Sequence, residues 1–182
     1  MYGKQETIMK MHLRPYIESD AEIICSWVPD EDSMYEWSAD RIAKFPFTGE
    51  DIHAHHTRTM AEERFTPFTF VDEDGVPVGH IAIRYPDVND DTYVRFGYVI
   101  IDPSKRRQGL GSRMLEAACD FARNELHADT TSLAVFTRNE KAMRCYAASG
   151  FRATGETEIF SLPGREWECV VLEKPLHDQV TE

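Results

Sequence analysis

The sequence is poor in basic residues and has no long apolar run, and each shortage excludes a class of protein. Its 182 residues include 20 Lys and Arg against 32 Asp and Glu, a formal net charge of −12. A chain this acidic is badly suited to binding nucleic acid or an anionic membrane surface. No apolar run is long enough to cross a bilayer, and the first residues show no signal-peptide pattern. We therefore expect a cytoplasmic protein that binds neither nucleic acid nor membrane.

Cysteine is scarce and metal-binding patterns are absent. The chain has four cysteines, none in a Cys-x-x-Cys pair: Cys25, Cys119, Cys145 and Cys169. A chain of this length does not need disulfide staples, so we expect reduced core thiols. His53, His55 and His56 lie on a predicted helix at spacings that do not share one face. We expect these histidines to face solvent, and we predict no metal site.

Length and pattern together predict a single domain over 1–182, with a core of about 12–174 and flexible tails at 1–11 and 175–182. Seven runs have strand character, and consecutive hairpins make much of the sheet antiparallel. Four segments have helical period, beginning near residues 19, 48, 110 and 139. The fold class is therefore α/β (α+β), with a mixed, mostly antiparallel central sheet of six to seven strands flanked by about four helices.

The stretch Tyr93–Arg113 combines a strand, a glycine-containing turn and the start of a helix. The amides of a helix N-terminus and the helix dipole attract anions there. Gly109 and Gly111 have no Cβ, so an anion can approach the backbone closely. The basic residues 105–107 stand beside them in an otherwise acidic chain. This stretch predicts a phosphate or diphosphate cradle, with a plain strand-to-helix turn as the alternative.

Two familiar cradles are excluded by the residues that follow the glycines. The P-loop ends in Gly-Lys-Ser/Thr, whereas Gly111 is followed here by Ser112 and Arg113. The dinucleotide-binding fingerprint requires a third glycine, and Met114 occupies that position.

Two motifs carry a resemblance to a known family. Residues 106–111, RRQGLG, resemble the Gln/Arg-x-x-Gly-x-Gly/Ala signature of the GCN5-related N-acetyltransferases (GNAT). Downstream, Asn139, Ala142 and Tyr146 precede Gly150-Phe151, which resembles a helix of the same family. The resemblance covers roughly residues 67–173.

The resemblance implies the acyl-CoA N-acyltransferase fold, acetyl-CoA as cosubstrate and no metal. It implies that the central strand carries a bulge and splays from its parallel neighbour to admit the pantetheine arm. Tyr146 becomes the candidate general acid, because its hydroxyl can protonate a departing thiolate. The predicted cofactor-binding residues are Val99, Ile100, Ile101, Arg106, Arg107, Gln108, Gly109, Leu110, Gly111, Ser112 and Asn139.

The acceptor is expected to be a primary amine of a small molecule. The region Val28–Phe47 reads as irregular, acidic and aromatic, which suits an ammonium group, although packing of the aromatic side chains on the core explains it as well. Many relatives carry a glutamate base on the central strand or before the Asn helix, and this chain has none at 94–96 and Ala134 at the second place. Three carboxylates, Asp90, Asp91 and Glu36, or a chain of waters stay open as the base.

Two other functions remain open from the sequence. One is an acetyltransferase acting on protein lysines or N-termini, and the other is a non-catalytic acyl-CoA-binding sensor. Dimers are common in the family, so the resemblance also allows a homodimer.

Overall fold

The computed structural model describes residues 11–42 and 44–177. Within those ranges the chain forms seven β-strands, five α-helices and two single-turn 3-10 helices. The strands and α-helices are β1 (His12–Pro15), α1 (Ala21–Ser26), α2 (Glu31–Ser38), α3 (Gly49–Glu62), β2 (Phe65–Val71), β3 (Pro77–Arg84), β4 (Tyr93–Ile101), α4 (Leu110–Asn124), β5 (Thr130–Phe136), α5 (Glu140–Ala148), β6 (Arg152–Leu162) and β7 (Arg165–Pro175).

All seven strands form one sheet in the order β1-β2-β3-β4-β5-β7-β6. The β4–β5 pair is parallel, and the other neighbouring pairs are antiparallel. The single parallel pair is the one joined by helix α4, as a strand-helix-strand unit requires. The predicted mixed, mostly antiparallel sheet is therefore confirmed.

Each face of the sheet carries its own hydrophobic core. Helices α4 and α5 cover one face, called here the α4–α5 face, and α1 to α3 cover the other, the α1–α3 face. Strand β4 contributes to both cores: Val94 and Phe96 are buried on the α4–α5 face, and Tyr98 and Ile100 are buried on the other after a break in the register with β3. The central strand is thus fixed from both sides.

Helix α4 is held close to the sheet by its apolar stripe and by one glycine of β3. Leu110, Met114 and Leu115 are at most 4% exposed. A Cβ on Gly79 would lie 2.8 Å from the Met114 sulfur and 2.7 Å from a methyl group of Ile101. The absence of a side chain at Gly79 therefore sets the distance between α4 and the strands that carry it.

The sequence predictions fail in two places along the first half. The region expected to be irregular contains α2, whose N-cap Asp30 accepts a hydrogen bond from the Ser33 amide. The helix was missed because its interior is short and mixes acidic with aromatic residues, which leaves no clear apolar period. The predicted start of α3 is confirmed, because Thr48 and Asp51 form a reciprocal capping box.

The histidines of α3 were also predicted wrongly. His55 is 8% exposed and His56 is completely buried, whereas His53 is half-buried. The Nε2 atoms of His56 and His80 lie 3.0 Å apart. The pattern within α3 could not show this, because the partner of His56 comes from β3.

The predicted chain ends need one correction. Leu176 is buried, and its amide donates to the Asp129 carbonyl at 2.8 Å, so the packed chain extends past residue 174. The predicted tail segments 1–10 and 178–182 lie outside the described residues. None of the helices in the described ranges is long and apolar enough to span a bilayer.

Candidate active site

Strands β4 and β5 start side by side and then separate. Their parallel register ends at the rung that joins Phe96 to Leu133. No further β4–β5 pairing occurs in the described part of the chain, although β4 continues to Ile101. One backbone edge of residues 97–101 therefore faces a gap, as the resemblance implied.

A bulge lies on β4 beside this gap. His80 pairs with Ile100, and the next paired residue of β3, Ala82, pairs with Gly97, so β4 has one residue more than β3 between these rungs. Tyr98 adopts a left-handed backbone with φ of 54°. A bulge re-aims the backbone groups next to it, which is the feature that the resemblance implied for this strand.

The predicted pantetheine edge, Val99 to Ile101, offers backbone rather than side chains to the gap. Ile100 and Ile101 pair with β3 on their other side. Val99 and Ile101 pack into the α4–α5 face, and Ile100 is buried on the α1–α3 face. An extended ligand can therefore add to this edge in the way that a strand does.

The predicted cradle opens onto solvent at the start of α4. Arg106, Arg107 and Gln108 are exposed. Gly109 is the N-cap residue of α4 with φ of 74°, and no side chain caps the helix there. A Cβ on Gly109 would meet no atom within 4 Å. The first amides of α4 are therefore reachable by an anion.

The next three cradle residues connect the turn to α5. Leu110 is buried and anchors the helix. A Cβ on Gly111 would lie 3.1 Å from the Cys145 sulfur, so α5 packs tightly at this point. The Ser112 hydroxyl lies 3.4 Å from that of Ser149. The two motifs of the sequence are thus adjacent in space.

The charge of the cradle is only partly neutralised. Lys105 forms a 3.7 Å ion pair with Asp72. Arg106 and Arg107 form no ion pair with any carboxylate of residues 11–42 and 44–177. Two uncompensated guanidinium groups therefore stand beside an uncapped helix N-terminus in a chain of net charge −12.

Asn139 is the N-cap residue of α5, and it caps the helix with its side-chain oxygen alone. Its side-chain oxygen accepts a hydrogen bond of 3.1 Å from the Ala142 amide. The side-chain NH₂ group keeps two donors for a ligand. Helix capping and ligand binding are therefore compatible at this residue.

Tyr146 lies at the core of the α4–α5 face, 7% exposed, with its ring 6.3 Å from that of Phe151. Its hydroxyl makes no hydrogen bond within the part of the chain that the structure describes. Burial raises the pKa of the Tyr146 phenol above its usual range. The phenol is therefore protonated at neutral pH, and it is a weaker acid than an exposed tyrosine.

The aromatic side chains of the predicted acceptor loop are packed rather than exposed. Trp27, Tyr35 and Trp37 are 5%, 5% and 8% exposed, and Tyr35 meets the Trp167 ring edge-on. They hold α2 against the α1–α3 face. Core packing, the alternative to ammonium recognition, therefore accounts for these three rings.

The carboxylates of α2 already have partners. Asp32 pairs with Arg138 and Arg165, and Glu31 pairs with Arg165 at 2.9 Å. Because these groups neutralise one another, α2 presents less negative charge than its sequence indicates.

The candidate bases are separated by the fold. Asp90 and Asp91 precede β4, at least seven residues before Tyr98 at the bulge, and Asp91 pairs with Arg64. Glu36 pairs with Arg138 at 3.2 Å, and burial raises the pKa of its carboxyl group. The two aspartates are therefore in the wrong place to accept a proton at the bulge.

A cleft of about 540 Å³ lies between the end of α2 and the β6–β7 turn. It is lined by Tyr35, Asp40, Ile42, Lys44, Ser161, Leu162 and Pro163. The described residues include no group of three His, Cys, Asp or Glu side chains placed to hold a metal ion.

Sequence reasoning missed one polar contact beside the bulge. His55 Nε2 lies 2.8 Å from the Tyr98 hydroxyl. The two residues come from α3 and β4, and no spacing in the sequence indicates that they meet.

A family model described as the Acetyltransferase (GNAT) family matches residues 31–151. The chain belongs to the GNAT acetyltransferase family. It is therefore an acyltransferase, and the matched range contains the gap, the cradle and Tyr146.

Individual relatives of this GNAT protein are distant. The UPF0039 protein C11D3.02c of Schizosaccharomyces pombe is 26% identical over 119 residues, which are 60% of this chain and 78% of that protein. Spermidine N-acetyltransferase from Vibrio cholerae, solved with CoA and spermine, superposes with a TM-score of 0.75 at 17% identity, covering 92% of this chain and 96% of that one. A candidate phosphinothricin N-acetyltransferase gives 0.71 at 20% identity, covering 93% and 100%. These structures share the fold.

Proposed function

We propose that this GNAT protein transfers an acetyl group from acetyl-CoA to a primary amine of a small molecule, by direct attack in a ternary complex. One observation carries the proposal: the uncapped start of α4, the β4–β5 gap and the helix of Tyr146 are contiguous. Together they outline a path for a long ligand that has a diphosphate at one end and a reactive thioester at the other.

The cradle holds the diphosphate in this proposal. The amides from Arg107 to Ser112 donate to its oxygens, and Arg106 and Arg107 supply charge. The backbone of residues 99–101 bonds the pantetheine amides along the open edge of β4, and the Asn139 NH₂ donates to the same arm. The thioester then lies near the bulge at Tyr98.

The chemical step exchanges a C–S bond for a C–N bond. The neutral amine attacks the thioester carbonyl carbon, and a backbone amide at the bulge donates to the oxygen that becomes negative. The C–S bond breaks, and the departing thiolate takes the Tyr146 proton. The nitrogen loses a proton to water as the amide forms, and water returns a proton to the Tyr146 phenolate. Because the Tyr146 phenol is already protonated before the reaction, it can donate its proton without first receiving one.

The names of two structural neighbours support a small amine as acceptor. One is a spermidine N-acetyltransferase solved with spermine, and the other is a candidate phosphinothricin N-acetyltransferase. A transferase acting on protein lysines or N-termini and a non-catalytic acyl-CoA sensor are outcomes that the following test separates.

The test is calorimetric titration with acetyl-CoA, followed by a screen of small amines and lysine peptides that reads released thiol. We expect acetyl-CoA binding, turnover of small amines, and initial-rate lines that intersect when both substrates are varied. Parallel lines, or an acetylated chain in the mass spectrum after incubation with acetyl-CoA alone, would contradict direct attack. Binding without turnover of any amine would indicate a sensor.

A further inference from the structure

We propose that the acceptor side of this site contains an anion-binding patch, formed by Arg84, Arg95 and Arg41 with the Tyr98 hydroxyl, that selects small amines carrying a carboxylate or similar anion. The proposal rests on the acetyltransferase function above and names its substrate class. These three arginines are called the arginine patch.

Two members of the patch lie side by side on adjacent strands. Arg84 of β3 and Arg95 of β4 are direct cross-strand partners. Both stand on the α1–α3 face, because Ala82, two residues before Arg84, is buried in that face, and Val94 and Phe96, on either side of Arg95, are buried in the other. Like charges directly opposite each other destabilise a sheet, so this pair indicates a role other than stabilising the fold.

No carboxylate of the described residues forms a direct ion pair with these arginines. Arg41, Arg84 and Arg95 form no ion pair within 4 Å in the described ranges, whereas Arg138 and Arg165 do. Arg95 Nε donates to the Ser132 hydroxyl at 3.0 Å, and the Arg95 side chain also hydrogen-bonds to the Tyr93 hydroxyl, so part of its donor capacity remains for a ligand. The charge of Glu63 acts on Arg84 from a longer distance, and burial together with Arg41 and Arg95 lowers the Arg84 pKa.

There is room for a ligand in front of the patch. Arg95 lies one rung before the last β4–β5 pair, so it stands at the mouth of the gap. Gly97 follows on the same face, and a Cβ there would meet no atom within 4 Å. Its β3 partner is Ala82, and the β5 residue two positions past Ser132 is the exposed Ala134. Small side chains therefore form a floor beside the arginines.

The patch lies at the acceptor end of the path, away from the cradle. Arg95 is about 10 Å along the strand from the bulge at Tyr98 and about 20 Å from Ile101, at ~3.3 Å per residue. The diphosphate cradle begins only after Ile101. The patch is therefore too far away to neutralise the cosubstrate phosphates, and near enough to hold a group of the attacking amine.

Tyr98 adds a neutral donor to the arginines, and its hydroxyl accepts a hydrogen bond from Arg41, which places Arg41 at the patch. Its hydroxyl contacts His55 Nε2, and Arg58 Nη2 lies 3.4 Å from the other ring nitrogen of His55. A guanidinium group only donates, so that nitrogen accepts and the His55 proton sits on Nε2. The Tyr98 oxygen then accepts from His55, and its own O–H is left to donate to a ligand.

The donor set indicates the ligand chemistry. Guanidinium groups bind carboxylates and other oxyanions through paired N–H donors. A polyamine would instead bring further positive charge against three arginines. The patch therefore favours an amine with an anionic group a few bonds away, such as an amino acid, over a diamine or polyamine.

Turnover of matched acceptors tests the proposal. The first set, γ-aminobutyrate, n-butylamine and putrescine, varies only the charge on a four-carbon chain; L-methionine and its carboxamide form the second. We expect kcat/KM to favour each acid roughly ten- to hundredfold over its uncharged counterpart. Arg84→Met and Arg95→Met should remove that preference by lowering kcat/KM for the acids, and Arg84→Lys should keep part of it. Arg64→Met, which removes a charge outside the patch, is the control.

A binding measurement separates this proposal from the proposed function. In the presence of acetyl-CoA, N-acetyl-γ-aminobutyrate should raise the melting temperature of the wild type and not of Arg84→Met. Equal shifts in both proteins, or acids that are turned over no better than their uncharged counterparts, would overturn the patch. If acetyl-CoA binds and no amine is acetylated, the proposed function fails, and the melting shift alone decides the patch.

Discussion

Two residues of the proposed cosubstrate path have backbone angles that side chains rarely adopt. Tyr98 has φ of 54° at the bulge, and Arg107 has φ of 61° in the cradle turn. Such angles cost of order 1–3 kcal/mol each and persist where the surrounding structure holds them. Both positions lie on the proposed path, so the strain coincides with segments that the proposed function uses.

Tyr146 gives the sharpest prediction at a single residue. Tyr146→Phe removes the proton donor and leaves the ring packed, so kcat should fall about 10²- to 10⁴-fold while the Kd for acetyl-CoA changes little. Stopped-flow release of thiol and calorimetry measure the two quantities. Tyr85→Phe, which removes a hydroxyl from a half-buried tyrosine of the same core, is the control. Equal activity of the two variants would remove Tyr146 from the mechanism.

The sequence placed Tyr146 and Asn139 on one helix, but it could not place their surroundings. The seven-residue spacing puts both on one side of α5, and Asn139 is the N-cap as predicted. The contact of Gly111 with Cys145 depends on how α4 crosses α5, which no local pattern encodes. The same limit applies to Arg84 and Arg95, whose pairing depends on the register between two strands.

At the scale of elements, the turn before α4 can be tested with a pair of glycines. Gly109 and Gly75 have φ of 74° and 80°, and neither has an atom within 4 Å of a Cβ. Valine at either position should cost a similar 1–2 kcal/mol of stability. Only Gly109→Val should also weaken acetyl-CoA binding, by roughly tenfold or more, because its branched side chain shields the amides that face the diphosphate.

Calorimetry and urea unfolding of both glycine variants give the answer. If Gly109→Val bound acetyl-CoA as tightly as Gly75→Val does, the diphosphate would have to lie elsewhere.

A second pair of glycines separates packing from acceptor binding on the central strands. Gly79→Ala would press on Met114 and on the Ile100 carbonyl oxygen 3.2 Å away, and should cost about 1–3 kcal/mol. Gly97→Ala has open space, so stability should hold or rise, while the new methyl group narrows the acceptor side and raises KM for the amine. Thermal melts and initial rates distinguish the two. If Gly97→Ala were destabilised and its KM unchanged, the space next to Gly97 would not be part of the acceptor site.

Helices and strands with a strong sequence pattern were predictable, whereas the gap between β4 and β5 was not. The bounds Tyr93–Ile101 of β4 and the start of α4 at Leu110 agree with the sequence prediction, because β-branched residues and an apolar helical period define them. The bulge and the separation beyond Phe96 arise from tertiary packing, so only the family resemblance implied them.

At the scale of the whole molecule, four arginines that form no ion pair among the described residues lie at the two ends of the proposed path. The chain carries 12 more acidic than basic residues, and several of its arginines pair with carboxylates on α2 and elsewhere. Arg106 and Arg107 stand at one end of the path, and Arg84 and Arg95 at the other. An acidic surface with two local cationic regions disfavours anions elsewhere on the protein and accepts them at both ends of one channel.

Global stability should depend on pH through the buried pair His56 and His80. Burial lowers the pKa of both imidazoles, that of His80 to about 4. Between their Nε2 atoms, 3.0 Å apart, only one proton fits. The unfolded chain gains protons near pH 6.5 and the folded chain does not, so the stabilisation is complete above that pH and is lost as the pH falls toward 4. The expected loss is about 1.4 kcal/mol per pH unit for each histidine.

Urea unfolding between pH 7.5 and 5 measures this loss. His56→Gln should reduce the dependence of the unfolding free energy on pH by about 1.4 kcal/mol per pH unit, the share of one histidine. His127→Asn removes an exposed histidine whose φ of 56° asparagine tolerates, so it should leave the dependence unchanged. A free energy of unfolding that stays constant down to pH 5 in the wild type would mean that the pair is protonated in the folded protein, and α3 would then have to move away from β3 to separate the charges.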